Sequence, residues 1–202
     1  MILAERLCLL VLDPESGRDR VSADAQRLPQ AIAGLVLIDL MLAGRIRIEG
    51  SQVQSGEALP IAHPVLAEAA KLLAEHGRTL SLEDASTVLC RKSRRWHKRM
   101  LQALAARDVL EIRIPFPFLR RHHLRSRQAW NESLTLLQSA AGNAATDTSA
   151  LALALASDLA GVLTDLMPAD ASRRLLNVLS GLADAATHDE RSALLLQLLR
   201  SC

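Results

Sequence analysis

The sequence predicts a mostly α fold: a single helical domain over residues 1–202, with one or two short β-hairpins. Three observations carry this expectation. Leu and Ala dominate a chain that is 50% hydrophobic, and both residues favour helix over strand. The aromatic residues that favour strands are scarce, with no Tyr, two Trp and two Phe. Alternation of apolar and polar residues is confined to two short stretches, while helical spacing governs most of the remainder.

The elements follow in order. Ile2–Leu12 is a short, very apolar helix. Asp13, Pro14, Glu15, Ser16 and Gly17 make a turn, because Pro and Gly supply the dihedrals a turn needs. Arg18–Arg27 is a polar loop leading into a helix over Pro29–Ala43, which is apolar apart from Asp39 and therefore central; Gly44 stops it. Arg45–Gln54 alternates around Glu49-Gly50-Ser51 and reads as a hairpin. After a loop over Gly56–Ile61, Pro64 opens a helix to His76, with Gly77 as its stop. Ser81 caps a short helix to about Cys90, with Asp84 in the acidic position of a capping box. A second, basic helix runs from Ser93 to Arg107. Val109–Ile114 alternates like a strand, Pro115-Phe116-Pro117-Phe118 is a rigid apolar tip, and Leu119–Arg125 returns as a basic extended segment. Ala129–Ala140 is an amphipathic helix, followed by a linker over Gly142–Thr148. Ser149–Met167 is a buried Leu/Ala helix ended by Pro168, and helices over about Ala171–Ala186 and Asp189–Leu199 close the chain.

Several function classes find no support. No apolar run is long enough to span a bilayer, since Ser157, Asp158, Thr164 and Asp165 interrupt Leu151–Leu166. Met1–Leu12 carries Glu5 and Arg6 and lacks the basic start and cleavage site of a signal peptide. Cys8, Cys90 and Cys202 fit neither a disulfide nor a zinc pattern, so a reducing, cytoplasmic setting is expected. There is no P-loop, dinucleotide fingerprint, HExxH or nucleophile elbow. The sequence therefore predicts no catalytic residues, no metal and no cofactor. His122-His123 is the one close histidine pair, and adjacent strand residues point to opposite faces.

What stands out is charge. Arg91–Arg127 holds twelve Lys and Arg residues against two acids, Asp108 and Glu111, or +10 in a chain of net +2. Within it, Arg91, Arg94, Arg95 and Lys98 recur at i, i+3, i+4 and i+7, and at about 100° per residue they lie opposite Trp96. No acid stands at helical i±4 spacing to pair them. Nearby, Phe116 and Phe118 are flanked by Arg113, Arg120 and Arg121. An aromatic wedge with a basic collar suits a membrane interface, and the same Phe pair suits a core or subunit contact. A field of this sign favours an anionic partner. The first reading is a peripheral membrane protein binding anionic lipid. The alternative is a winged-helix-like nucleic-acid-binding protein, although the stripe offers little Asn or Gln for reading bases. A scaffold that forms homo-oligomers through the hairpin is compatible with the first.

The chain also resembles a known family. Leu3-Ala4-Glu5-Arg6-Leu7-Cys8-Leu9-Leu10, the turn Asp13–Gly17, the run Leu37-Ile38-Asp39-Leu40-Met41-Leu42-Ala43-Gly44-Arg45-Ile46, His63–Ala69 and Arg99–Leu110 carry the resemblance. Their order and spacing are similar to those of the Golgi phosphoprotein 3 family, and the short, low-aromatic sequence looks like its bacterial relatives. The resemblance implies a mostly helical domain with a projecting hairpin at about Leu110–Leu124. It also implies a lipid-binding trafficking or membrane adaptor, with protein cargo and phosphatidylinositol 4-phosphate as partners. Family ligand positions fall on Arg94 and His97, with Lys98 beside them, and on Asp24 and Ala33, which are neither aromatic nor basic. Arg18, Arg20 and Arg27 are the cations near that second half. The expected headgroup site is therefore Arg91, Arg94, Arg95, His97 and Lys98, and the expected membrane or oligomer hairpin is Phe116, Phe118, Arg120 and Arg121.

Overall fold

The computed structural model describes residues 1–20, 27–56, 60–113, 121–142 and 147–185. Their order is α1 (Leu3–Val11), α2 (Arg27–Leu42), β1 (Ile46–Glu49), β2 (Gln52–Ser55), α3 (Pro64–His76), β3 (Thr79–Ser81) and α4 (Leu82–Ala106). Then follow β4 (Leu110–Arg113), β5 (Arg121–Leu124), α5 (Arg127–Gly142), α6 (Thr148–Leu159), α7 (Leu163–Leu166) and α8 (Ala169–Ala185). The fold is mostly α, as its Leu/Ala composition predicts.

Helix α2 is the hub. Every residue from Ala31 to Leu40 is buried, so the helix is surrounded on all sides, as an all-round apolar helix must be. It packs against α1, α3, α4 and α6. Helix α1 lies across the same core and also meets α4, α5 and α6. The buried residues of α1, α2, α4 and α6 join one hydrophobic cluster in which Trp96 is the largest fully buried side chain.

The strands are short and antiparallel. β1 and β2 pair in register Ile46↔Ser55 to Glu49↔Gln52, which is the expected hairpin. A third strand, β3, adds to β2 with Val53 opposite Leu80. Three residues are too few to show alternation, so β3 was not legible beforehand. β4 and β5 form a separate two-stranded ribbon, from Leu110↔Leu124 to Arg113↔Arg121.

Two helix boundaries differ from expectation. The helices foreseen at Ser81–Cys90 and Ser93–Arg107 are one continuous α4 of 25 residues. No Gly or Pro separates them, and the Ser93 hydroxyl donates to the Cys90 carbonyl at 2.7 Å, which accommodates a serine inside a helix. Conversely, the helix foreseen at Ser149–Met167 breaks into α6 and α7. Gly161 adopts φ +73°, the Gly161 N–H donates to Asp158 O at 2.9 Å and Val162 N–H to Ser157 O at 3.0 Å. This is a Schellman stop, and only glycine enters its left-handed position without penalty. Helix α4 ends the same way with Asp108 at φ 57° in the left-handed position. The helix foreseen at Asp189–Leu199 lies outside the described residues.

Candidate functional site

Helix α4 sets the geometry. Its N-terminus is closed by Ser81, whose hydroxyl oxygen accepts the Asp84 N–H at 3.0 Å. From there Leu82, Ala85, Leu89, Ser93, Trp96, Met100 and Leu104 turn inward and are buried. Burial of that stripe leaves Arg91, Arg94, Arg95 and Lys98 together on the solvent side, all exposed. The helix has paired cations elsewhere: Arg99 meets Glu68 of α3, and Arg107 meets the buried Glu5 of α1. None of the four stripe residues makes an ion pair or side-chain hydrogen bond with another described residue. Among the described residues, the face is a row of positive charge without an acidic partner.

Two further elements border it. The first is the turn after α1. The Asp13 carboxylate accepts the Ser16 N–H at 2.6 Å and the Glu15 N–H at 3.1 Å, and these bonds hold its pKa below the usual carboxylate range. Leu12 then bridges to Asp19. The second is the ribbon. The His122 N–H donates to Gly17 O at 3.1 Å, so the turn docks on β5. Gly17 has φ +65°, and a Cβ there would stand 2.9 Å from the His122 carbonyl oxygen. Both the dihedral and the space require glycine.

The ribbon ends on two like charges. Arg113 and Arg121 are directly opposed, an unfavourable pairing in a two-stranded ribbon. Arg113 turns aside to Glu111, with hydrogen bonds of 3.0 and 3.1 Å that hold the Glu111 carboxyl below its ordinary pKa. Arg125 pairs with Asp108 at 2.9 Å.

His97 sits where the three elements meet. It is half-buried, and its Nε2 is enclosed without a hydrogen-bond partner among the described residues. Burial lowers its proton affinity, Asp19 raises it and His122 lowers it. The adjacent histidines do face opposite ways: His122 acts on His97, and His123 stands across the ribbon from Glu111.

Residues 3–194 match the family model described as Golgi phosphoprotein 3 (GPP34). The chain belongs to the Golgi phosphoprotein 3 family. Comparison with curated proteins returns no match.

The site expectations drawn from resemblance to the Golgi phosphoprotein 3 family meet the structure unevenly. Arg94 is exposed and His97 half-buried on one side of α4, with Lys98 exposed beside them. Ala33 is fully buried in the core, so that position presents nothing to a ligand. Asp24 lies outside the described residues, as do Phe116, Phe118 and Arg120 of the tip. Arg121 is half-buried in β5. Of the neighbouring cations, Arg20 is already engaged, with Asp13 at 3.3 Å and the Asp165 carbonyl at 3.3 Å. Arg18 is exposed. Asp19 and His122 were not among the expected site residues. Neither has a sequence signal, because they reach His97 only when the turn folds back on the ribbon. Among the described residues no helix is long and apolar enough to cross a membrane, and no group of three or more His, Cys, Asp or Glu is placed to hold a metal ion.

Proposed function

We propose that this Golgi phosphoprotein 3 family member is a peripheral membrane adaptor that binds anionic lipid through the solvent face of α4. The observation that carries the reading is the row Arg91, Arg94, Arg95 and Lys98, exposed together and free of ion pairs with described residues. A basic residue held near an anionic leaflet contributes about 1 kcal/mol. Four of them give binding on the order of 4 kcal/mol, strong enough to matter and weak enough to reverse. Phosphate headgroups suit arginine, whose fork donates two parallel hydrogen bonds. Phosphatidylinositol 4-phosphate is the headgroup that family membership favours. Arg121, opposite an Arg113 that is already paired with Glu111, adds positive charge on the ribbon, which fits a surface lying across α4 and the ribbon together.

The test is sedimentation with liposomes of defined anionic content, with duplex DNA as competitor. Charge reversal by Arg94→Glu with Lys98→Glu is expected to abolish most liposome binding while the circular dichroism stays that of the wild type. Binding by the wild type is expected to weaken as salt rises, since exposed charges are screened over about 8–10 Å at physiological ionic strength. Unchanged liposome binding by the double variant would place the membrane surface elsewhere. Displacement from liposomes by equimolar DNA would favour a nucleic-acid partner.

A further inference from the structure

We infer that the cationic face of α4 is a proton-coupled anion site, in which a bound phosphate monoester draws a proton onto His97 and binding therefore strengthens as pH falls. The inference rests on the lipid-binding reading of α4 and adds to it how that site is regulated.

His97 stands one turn after Arg94 and next to Lys98, at the border of the unpaired row. Unlike those neighbours it is half-buried, and its Nε2 has no hydrogen-bond partner among the described residues. An enclosed imidazole nitrogen without a partner is unusual, because buried polar atoms are nearly always bonded. Two titratable groups face it from the elements packed against α4: Asp19 from the turn after α1, and His122 from β5. Arg20, next to Asp19, is turned away towards Asp13 and the Asp165 carbonyl.

Consider the site without a ligand. Burial and His122 both disfavour the imidazolium, and they outweigh Asp19, so His97 is neutral near neutral pH. The face then offers Arg94 and Lys98 to an anion, with the Asp19 carboxylate acting on His97 at its border. That carboxylate repels a phosphate. A phosphate monoester arriving here brings one to two negative charges. In a partly enclosed setting such a charge raises the proton affinity of the imidazole strongly. His97 takes up a proton from solvent and offsets Asp19, so that the bound anion and the imidazolium stabilise each other through space.

The sign follows from linkage. The complex binds more protons at His97 than the free protein, so affinity rises as pH falls, by at most about tenfold per pH unit for one proton. The rise ends once His97 is protonated in the free protein as well. A phosphate monoester itself gains a proton near pH 6, which weakens binding as pH falls and opposes the protein's contribution. Wild type must therefore be read against a variant that cannot titrate at this position.

The experiment measures binding from pH 5.5 to 8 to two sets of vesicles. One contains phosphatidylinositol 4-phosphate and the other phosphatidylserine, and inorganic phosphate serves as soluble competitor. The expected result is that the ratio of wild-type to His97→Gln affinity rises several-fold towards acid pH on the phosphatidylinositol 4-phosphate vesicles. His122→Gln is expected to keep the slope. A second variant, His97→Arg, carries a permanent charge and is expected to bind tightly without that slope, which holds even if the glutamine variant is poorly folded. Competition by millimolar phosphate would identify a free anion as the ligand. Its absence, with headgroup-specific binding, would identify the lipid.

The inference is overturned if the wild-type and His97→Gln profiles run parallel, or if the slope belongs to His122. If Arg94→Glu with Lys98→Glu binds normally at every pH, the lipid-binding reading of α4 is what has failed. If that double variant loses binding while the His97 variants show no change in slope, only the proton coupling has failed.

Discussion

The backbone N–H of Leu3 donates to the Asp39 carboxylate at 2.9 Å, tying the first turn of α1 to the last turn of α2. Ala4 donates to the second oxygen at 3.1 Å. The first N–H groups of a helix have no partner within it, and a polar residue at the N-cap usually accepts them. Here the N-cap is Ile2, which has no acceptor in its side chain, so a residue 36 positions along the chain takes the role. Asp39→Ala leaves two buried donors unsatisfied. The expected loss is about 2–4 kcal/mol in urea unfolding. A loss below about 0.5 kcal/mol would show that water or another residue replaces the cap.

The same carboxylate makes stability depend on pH. Burial pushes Asp39 up to about 6, against an ordinary value of 3.8, even though the Leu3 and Ala4 amides pull the other way. The folded state therefore holds this proton more tightly than the unfolded state. Its contribution is present below about pH 4 and is lost as pH rises to about 6. Glu5 runs in the opposite sense. Burial raises it, but the His63 hydrogen bond and the Arg107 charge together prevail, and its pKa is lowered. Its stabilisation is present above its ordinary value of 4.5 and is lost as pH falls through the lowered value. Urea unfolding at pH 4, 5, 6 and 7 separates the two. The difference between wild type and Asp39→Asn is expected to change by about 2 kcal/mol between pH 4 and 6. Glu5→Gln is expected to leave that limb in place.

Gly17 and Gly44 offer a controlled comparison. Both have φ +65°, yet only Gly17 has backbone against the position of a Cβ, whereas Gly44 has open space. Alanine at either position incurs the left-handed penalty of about 1–2 kcal/mol. Gly17→Ala must in addition move the turn off the His122 carbonyl. It is expected to lose at least about 1 kcal/mol more than Gly44→Ala. Equal losses in thermal unfolding would mean that the turn shifts freely and does not hold the ribbon.

In the sequence between β4 and β5, Pro115 and Pro117 remove two backbone donors, which lowers the penalty for placing backbone in an apolar setting. Phe116→Ser with Phe118→Ser distinguishes the roles open to this segment. A membrane wedge predicts lost liposome binding at unchanged solution mass. A subunit contact predicts a smaller particle by light scattering. Gross destabilisation in urea would identify the two phenylalanines as core residues.

Much of the fold was legible because it depends on local chemistry. Pro64 and Gly77 bound α3 where they stand in the sequence, Gly44 ends α2, and the Glu49-Gly50-Ser51 turn joins β1 to β2. The cationic face of α4 was equally legible, since a 3.6-residue period places Arg91, Arg94, Arg95 and Lys98 opposite Trp96 wherever the helix packs. What stayed hidden depends on which distant segments meet. Gly161 lies in an apolar run and looks like a tolerated helix glycine until its left-handed dihedral ends α6. β3 exists because β2 offers it an edge. Asp39 reads as a lone polar residue in a greasy helix, and only the arrival of α1 makes it a cap. His97 reads as one more basic residue in the row, and only the turn and the ribbon closing over it make it half-buried, with Asp19 and His122 as its electrostatic neighbours. Periodicity and turn chemistry act within a few residues, so sequence alone determined most of the helical segments and the charged face, though not the continuity of α4 or the end of α6. Burial and charge pairing act through space, so the tertiary structure decided which of those charges has a partner.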